Sequence, residues 1–166
     1  MSPRRREPLQ STVFVDTDVL VYARDATDEH KQTQADQWMT HLWRSRTGRL
    51  SYQVLMEYFL TMTREFDPGL DPAAAREDIR DLLAWRPLPF DETALEGAWS
   101  LYEDHDLPWW DAVVVATAQA GGCRFFLTAD LAHGRQFDGL EVINPFEDPP
   151  TQYTVHDVTH GGRGSS

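Results

Sequence analysis

A chain of 166 residues, 41% hydrophobic and 25% charged, has the composition of one soluble domain, long enough to bury about two-thirds of its surface. Its 15 basic against 27 acidic residues leave a net charge of −12, which excludes a broad cationic face as the means of holding nucleic acid. No apolar run approaches the roughly 20 residues of a membrane span, no secretory core follows the basic start Met1 to Arg6, and the single Cys123 rules out an internal disulfide; a cytoplasmic location is expected.

Residues 1–11 read as an N-terminal arm and 147–166 as a C-terminal tail, which leaves one domain over 12–146. The β-branched and aromatic run Val13-Phe14-Val15 predicts a strand over 12–16, followed by a helix over 17–24. A second helix over 29–45 gathers Ala35, Trp38, Met39, Leu42 and Trp43 on one face, and Gly48 stands beyond its end. An extended piece over 49–52 leads into a helix over 53–65, broken by Asp67-Pro68-Gly69.

Asp71-Pro72 supplies a cap and a first-position proline for the next helix, and Asp91 caps another whose Leu95, Ala98, Trp99 and Tyr102 recur at helical spacing. The segment 108–120 is apolar almost all round, and its alanines favour a buried helix that stops at Gly121-Gly122. Strands follow over 124–128 and 141–144. Short strands alternating with helices imply an α/β fold, a mainly parallel sheet covered by helices.

Acidic residues interrupt this apolar pattern at defined places. Asp16 and Asp18 stand where the first strand ends, and Asp130 follows the Phe125-Phe126-Leu127 strand in the same way, so parallel strands bring them to one edge. In an open α/β sheet that carboxyl edge is where ligands bind. Taken alone, Asp16 equally suits a helix cap. Asp111 lies in the first turn of a helix whose Val114, Val115 and Ala118 are apolar, and the helix dipole offsets only about 0.3–1 kcal/mol of the cost of burying an unpaired carboxylate. Glu57 sits at the border of the apolar arc of its helix, so periodicity alone does not aim it inward.

Carboxylates that converge repel one another by about 4 kcal/mol per pair at 4 Å in an effective dielectric of 20, and they take up protons unless a cation neutralises them. All-oxygen ligands select hard ions. Mg²⁺ fits, with Mn²⁺ as substitute, whereas one cysteine and scattered histidines do not make a zinc site.

The segments Asp16-Thr17-Asp18-Val19-Leu20-Val21-Tyr22, Ser51-Tyr52-Gln53-Val54-Leu55-Met56-Glu57-Tyr58-Phe59, Trp110-Asp111-Ala112 with Ala116, Leu127-Thr128-Ala129-Asp130-Leu131-Ala132-His133-Gly134 and Val142-Ile143-Asn144-Pro145-Phe146 resemble, in order and spacing, PIN domains of the VapC toxin type. The resemblance runs over 12–146. It implies a PIN-like three-layer sandwich and a metal-dependent ribonuclease of a toxin-antitoxin pair, with the family's acids falling on Asp16, Glu57, Asp111 and Asp130. It also implies a VapB-like antitoxin partner and a homodimer. Two departures stand out: Asp18 where the family often has Asn, which makes it an auxiliary ligand or a hydrogen-bonding residue, and Pro108 where many relatives have Ser before the aromatic pair.

The expected chemistry is hydrolysis of an RNA phosphodiester by a water activated on Mg²⁺. Asp16, Asp111 and Asp130 hold the metal, and Glu57 holds it or orients the nucleophile. Two alternatives use the same residues differently. A haloacid-dehalogenase-like phosphatase takes Asp16 as covalent nucleophile and Asp18 as acid/base, but it wants a downstream basic residue, and Lys31, the only lysine, comes soon after the strand. A non-catalytic PIN-fold binding module suits the net acidity and leaves the acids without a purpose. Arg24, Arg64, Arg124 and Arg135 are candidates for gripping RNA; His105, His133, His156 and His160 read as loop or tail histidines, and Trp109 beside Trp110 as a ring near the site.

Overall fold

Val13, Phe14 and Val15 are buried on both faces of the sheet they start, as expected of a central strand covered on each side by helices. In the computed structural model, which describes residues 11–153, this strand β1 (Val13–Val15) leads into α1 (Thr17–Arg24), α2 (Glu29–Ser45), β2 (Gly48–Arg49) and α3 (Tyr52–Leu60). Then come α4 (Pro72–Leu82), α5 (Glu92–Asp104), α6 (Trp109–Ala120), β3 (Phe125–Leu127), β4 (Gln136–Phe137) and β5 (Leu140–Ile143). The sheet order is β2-β1-β3-β5-β4, parallel throughout except for β4. Among the described residues no helix is long and apolar enough to cross a membrane.

Strand register places the first acid. Val15 pairs with Leu127, and the Asp16 amide donates to the Leu127 carbonyl at 3.0 Å. Asp16 and Thr128 therefore emerge side by side at the carboxyl edge. Below them Phe14 and Phe126, partners across the strands, stack with centroids 5.4 Å apart. Trp38 and Leu42 of α2 and the run Ala112 to Ala118 of α6 are buried in the core with these strands.

The predicted elements recur with two local differences. The helix expected over 53–65 is regular only to Leu60 and continues as a wide π-type turn over Thr61–Glu65. A short hairpin strand, β4, was not expected; Asp138 and Gly139, with φ of 46° and 92°, make its two-residue turn, the Asp-Gly signature of a tight hairpin. Beyond 146 the chain stays on the domain to Tyr153: Trp38 Nε1 donates to the Asp148 carbonyl at 3.0 Å, and the Tyr153 ring lies against Trp38 and Phe125. Residues 154–166, with His156 and His160, and residues 1–10 lie outside the described residues.

Gly48 seats the indole of Trp85 on β2. A Cβ at this position falls 2.5–2.8 Å from three ring atoms, and Trp85 is too buried, at 8% exposure, to move aside. Gly48→Ala is therefore expected to lower stability by about 1–3 kcal/mol, read as a reduced urea midpoint with an unchanged slope; an unaltered midpoint contradicts this packing.

Candidate metal centre

Asp16 closes β1 and opens α1, and its two oxygens do different jobs. Oδ1 accepts the Thr17 amide at 2.9 Å as a helix cap, while Oδ2 accepts the Thr128 hydroxyl at 3.0 Å. The cap thus occupies only one of the two oxygens. Asp18, the second residue of α1, accepts the Val19 amide on Oδ1 and the Ala129 amide on Oδ2, both at 2.8 Å, with the Thr128 hydroxyl 3.3 Å away. Asp130 donates its amide to Thr128 Oγ1 at 3.1 Å. Thr128, buried at the end of β3, is the hub that holds all three acids in place.

One oxygen from each of Asp16, Asp18 and Asp130 lies within 4.8 Å of the others, a separation a single small cation bridges. Burial of the Asp16 carboxylate, reinforced by the Asp18 charge and to a smaller extent by Asp130, pushes its pKa up to about 8. Asp18 rises to about 6 through burial and the Asp130 charge, against the hydrogen bonds it accepts. Without a cation, protons must stand in for one.

Asp111 and Glu57 lie outside this tightest group yet within its field. Asp111, in the first turn of α6, is held above the usual carboxylate range by burial, then by the charges of Asp130 and Glu57. It makes no hydrogen bond or ion pair among the described residues, so no arginine or amide satisfies it. Pro108 leaves the α6 N-terminus without a side-chain cap. Glu57 is turned to the site by two donors, Thr17 Oγ1 to Oε2 at 3.0 Å and Gln53 Nε2 to Oε1 at 3.1 Å. The Thr17 contact joins α1 to α3, an orientation the helical wheel left open.

The residues missed by sequence reasoning are thus Thr17, Gln53 and Thr128. Their only signal is a hydroxyl or amide placed within four residues of an acid. The cations are elsewhere: among the described residues the arginine and histidine ion pairs are Arg24 with Asp78 and His133 with Glu147 and Asp148. Arg135 lies over Phe137 and bonds the His105 carbonyl, and Arg124 lies over Phe125. Trp109 packs against Tyr102, and Trp110 is 64% exposed. An all-oxygen acid cluster with no positive side chain paired to it among the described residues suits a hard divalent cation, and Asp16, Asp18 and Asp130 are the residues able to hold it together.

A family model described as the PIN domain matches residues 13–136. The chain belongs to the PIN-domain family. Solved structures agree on the PIN fold. VapC20 of Mycobacterium tuberculosis, a sarcin-ricin-loop-cleaving toxin, aligns with a TM-score of 0.55 at 25% identity over 72% of this chain and 92% of that one. A toxin-antitoxin complex from Klebsiella pneumoniae aligns at 0.52 and 17% identity over 83% and 100%. VapBC2 from Rickettsia felis, bound to a DNA fragment from its promoter, aligns at 0.55 and 13% identity over 80% and 98%. No curated protein matches this PIN domain in sequence.

The raised carboxylates give this PIN domain a pH signature. A carboxyl group whose pKa is higher in the folded than in the unfolded chain makes the folded state bind more protons, so stability falls as pH rises between the two values. For Asp16 that window runs from 3.8 to about 8. In EDTA the melting temperature is expected to drop by a few degrees between pH 5 and pH 8. Mg²⁺ at pH 8 restores it, because a ligand of the folded state adds stability. Asp16→Asn flattens the EDTA profile and removes the Mg²⁺ gain. Identical profiles with and without Mg²⁺ in the wild type contradict the site.

Proposed function

We propose that this PIN domain is a Mg²⁺-dependent endoribonuclease, with Mn²⁺ as substitute, and the toxin of a VapBC-type toxin-antitoxin pair. The observation that carries the reading is the meeting of Asp16, Asp18 and Asp130 at one sheet edge with no cationic side chain paired to them among the described residues. Asp16, Asp130 and Asp111 are the metal-holding residues, Asp18 an auxiliary one, and Glu57 shares the ion or orients the nucleophile. A divalent cation bound there supplies charge neutralisation at phosphoryl oxygen and acidifies its water.

The protein's own part is positioning. Each Glu57 oxygen accepts one hydrogen bond from the chain, which fixes the carboxylate and leaves a lone pair on each for a water or a cation. The Thr128 hydroxyl lies 3.0 and 3.3 Å from Oδ2 of Asp16 and Asp18, which helps keep one oxygen of each within 4.8 Å of the other and of one on Asp130. Prealigned groups of this kind lower the reorganisation needed on reaching the transition state.

Structural neighbours named as a toxin cleaving the sarcin-ricin loop and as toxin-antitoxin complexes support RNA as substrate and an antitoxin as partner. A basic segment of a VapB-like antitoxin suits the acid cluster of a chain with net charge −12. A homodimer belongs to the same reading. Tyr52, Met56 and Leu60 of α3 are 53%, 62% and 47% exposed and line, with Leu83, a groove of roughly 530 Å³, an apolar surface that a second chain would cover.

The phosphatase alternative needs a basic side chain at Asp16. Lys31 instead lies over the rings of Tyr22 and Phe146, 5.1 and 5.4 Å from their centroids. A binding module without activity leaves the repulsion among these acids to be met by protons and backbone donors alone, with no use for the convergence.

Incubation of the purified protein with total RNA is expected to give cleavage in Mg²⁺ and none in chelator. Asp16→Asn, which keeps the Oδ1 cap, folds normally and lowers cleavage by at least about 100-fold. RNA cleavage undiminished by Asp16→Asn, or unaffected by chelator, contradicts the assignment.

A further inference from the structure

An acidic nuclease must still grip a polyanion, and the arginines named from sequence do not gather to do so. A different set does. At the β2 edge of the sheet a cavity of roughly 710 Å³ is walled by Arg46, Arg49, Arg86 and the indoles of Trp43 and Trp85. Among the described residues no acidic side chain lines it, although acidic residues outnumber basic ones 27 to 15 in the chain. Its size is within the range of small-ligand sites.

Its construction is specific. Trp85 is buried over Gly48 and forms the floor, and Trp43, 40% exposed, stands beside it with centroids 5.2 Å apart at 57°. A partly exposed indole is a stacking platform for a base of any identity. Arg46 follows α2 with φ 59°, and Arg86 follows the short turn after α4 with φ 53°. Both are left-handed positions where glycine is the favoured residue, so the chain keeps an arginine there against its backbone preference. Arg49 is tied by its guanidinium to the Arg46 and Gly48 carbonyls at 3.2 and 2.8 Å, which fixes its charge at the pocket wall.

The cavity opens at the amino end of β2, where the Arg49 charge also reaches Cys123 ahead of β3, whereas the acids stand at the carboxyl edge, and β2 itself joins the two. Arg49 pairs with Phe14, two residues before Asp16 on the neighbouring strand, and Ser51, two residues further on, caps the helix that carries Glu57. We propose that this pocket is a subsite for single-stranded RNA, with a base stacked on the Trp43 indole and the adjoining phosphates on Arg46, Arg49 and Arg86. The inference rests on the nuclease reading above. An acidic peptide would use the arginines alone; the open indole favours a strand that carries both phosphates and planar bases.

The test measures binding without turnover: the full chain in EDTA, a labelled single-stranded RNA oligonucleotide, and fluorescence anisotropy over a range of salt. Arg46→Gly with Arg86→Gly removes two cations while relieving both left-handed positions, so the melting temperature stays level or rises. Affinity is expected to fall, and the slope of log K against log salt to shrink by roughly 0.7 for each lost phosphate contact. Trp43→Ala is expected to weaken binding about 10-fold, and RNA to quench indole emission in the wild type. Arg76→Ala with Arg80→Ala, an equal loss of charge on α4, leaves both quantities unchanged.

Unchanged affinity and slope in the Arg46/Arg86 variant overturn the subsite, whether or not the wild type cleaves RNA. So does a loss equal to that of the α4 control, or displacement of quenching by a glutamate-rich peptide at concentrations where RNA has no effect. Loss of affinity in a protein that cleaves nothing in Mg²⁺ instead leaves the pocket standing and removes the nuclease reading.

Discussion

Mutual repulsion among carboxylates held at the end of two parallel strands governs this site. Asp16 and Thr128 emerge together because β1 and β3 pair in register, and Asp18 and Asp130 each lie two residues further along the same two connections. The sheet thereby forces three acids within 4.8 Å of one another. At such distances each pair of like charges costs about 4 kcal/mol in an effective dielectric of 20. The fold answers with donors, not with cations: Thr128, the Ala129 amide and the Val19 amide hold the oxygens without neutralising them. The remaining imbalance is what a divalent ion, or in its absence a proton, relieves.

The wider architecture serves this edge. The stacked Phe14 and Phe126 pack the two strands together beneath the acids, and the Ser51 cap sets the start of α3 so that Glu57 meets Thr17. The chain's strong net negative charge makes an isolated cationic pocket at β2 all the more consequential. A polyanionic strand approaching an acidic protein needs a local attractive point, and a pocket lined by Arg46, Arg49 and Arg86 offers one.

Much of the fold was legible because its signals are local. Asp91, Asp71-Pro72 and Gly121-Gly122 mark helix ends by chemistry that acts within a turn, and Val13-Phe14-Val15 announces a buried strand by composition. β4 escaped because two residues carry no periodicity, although its Asp138-Gly139 turn was present to be read. The site was legible in part for the same reason: Asp16 and Asp130 each follow an apolar strand. Glu57 was not decidable from its helix, since what turns it inward is a hydroxyl 40 positions away. Arg46, Arg49 and Arg86 were invisible, since helix ends and a strand edge distant in sequence bring them together.

The claim that the acid cluster is a divalent cation site is tested most directly by titrating the protein with Mn²⁺ and following free Mn²⁺ by electron paramagnetic resonance. The account predicts saturable binding to the wild type that Mg²⁺ competes away, and its loss in Asp16→Asn. Binding of equal strength in both proteins, or none in either, contradicts it.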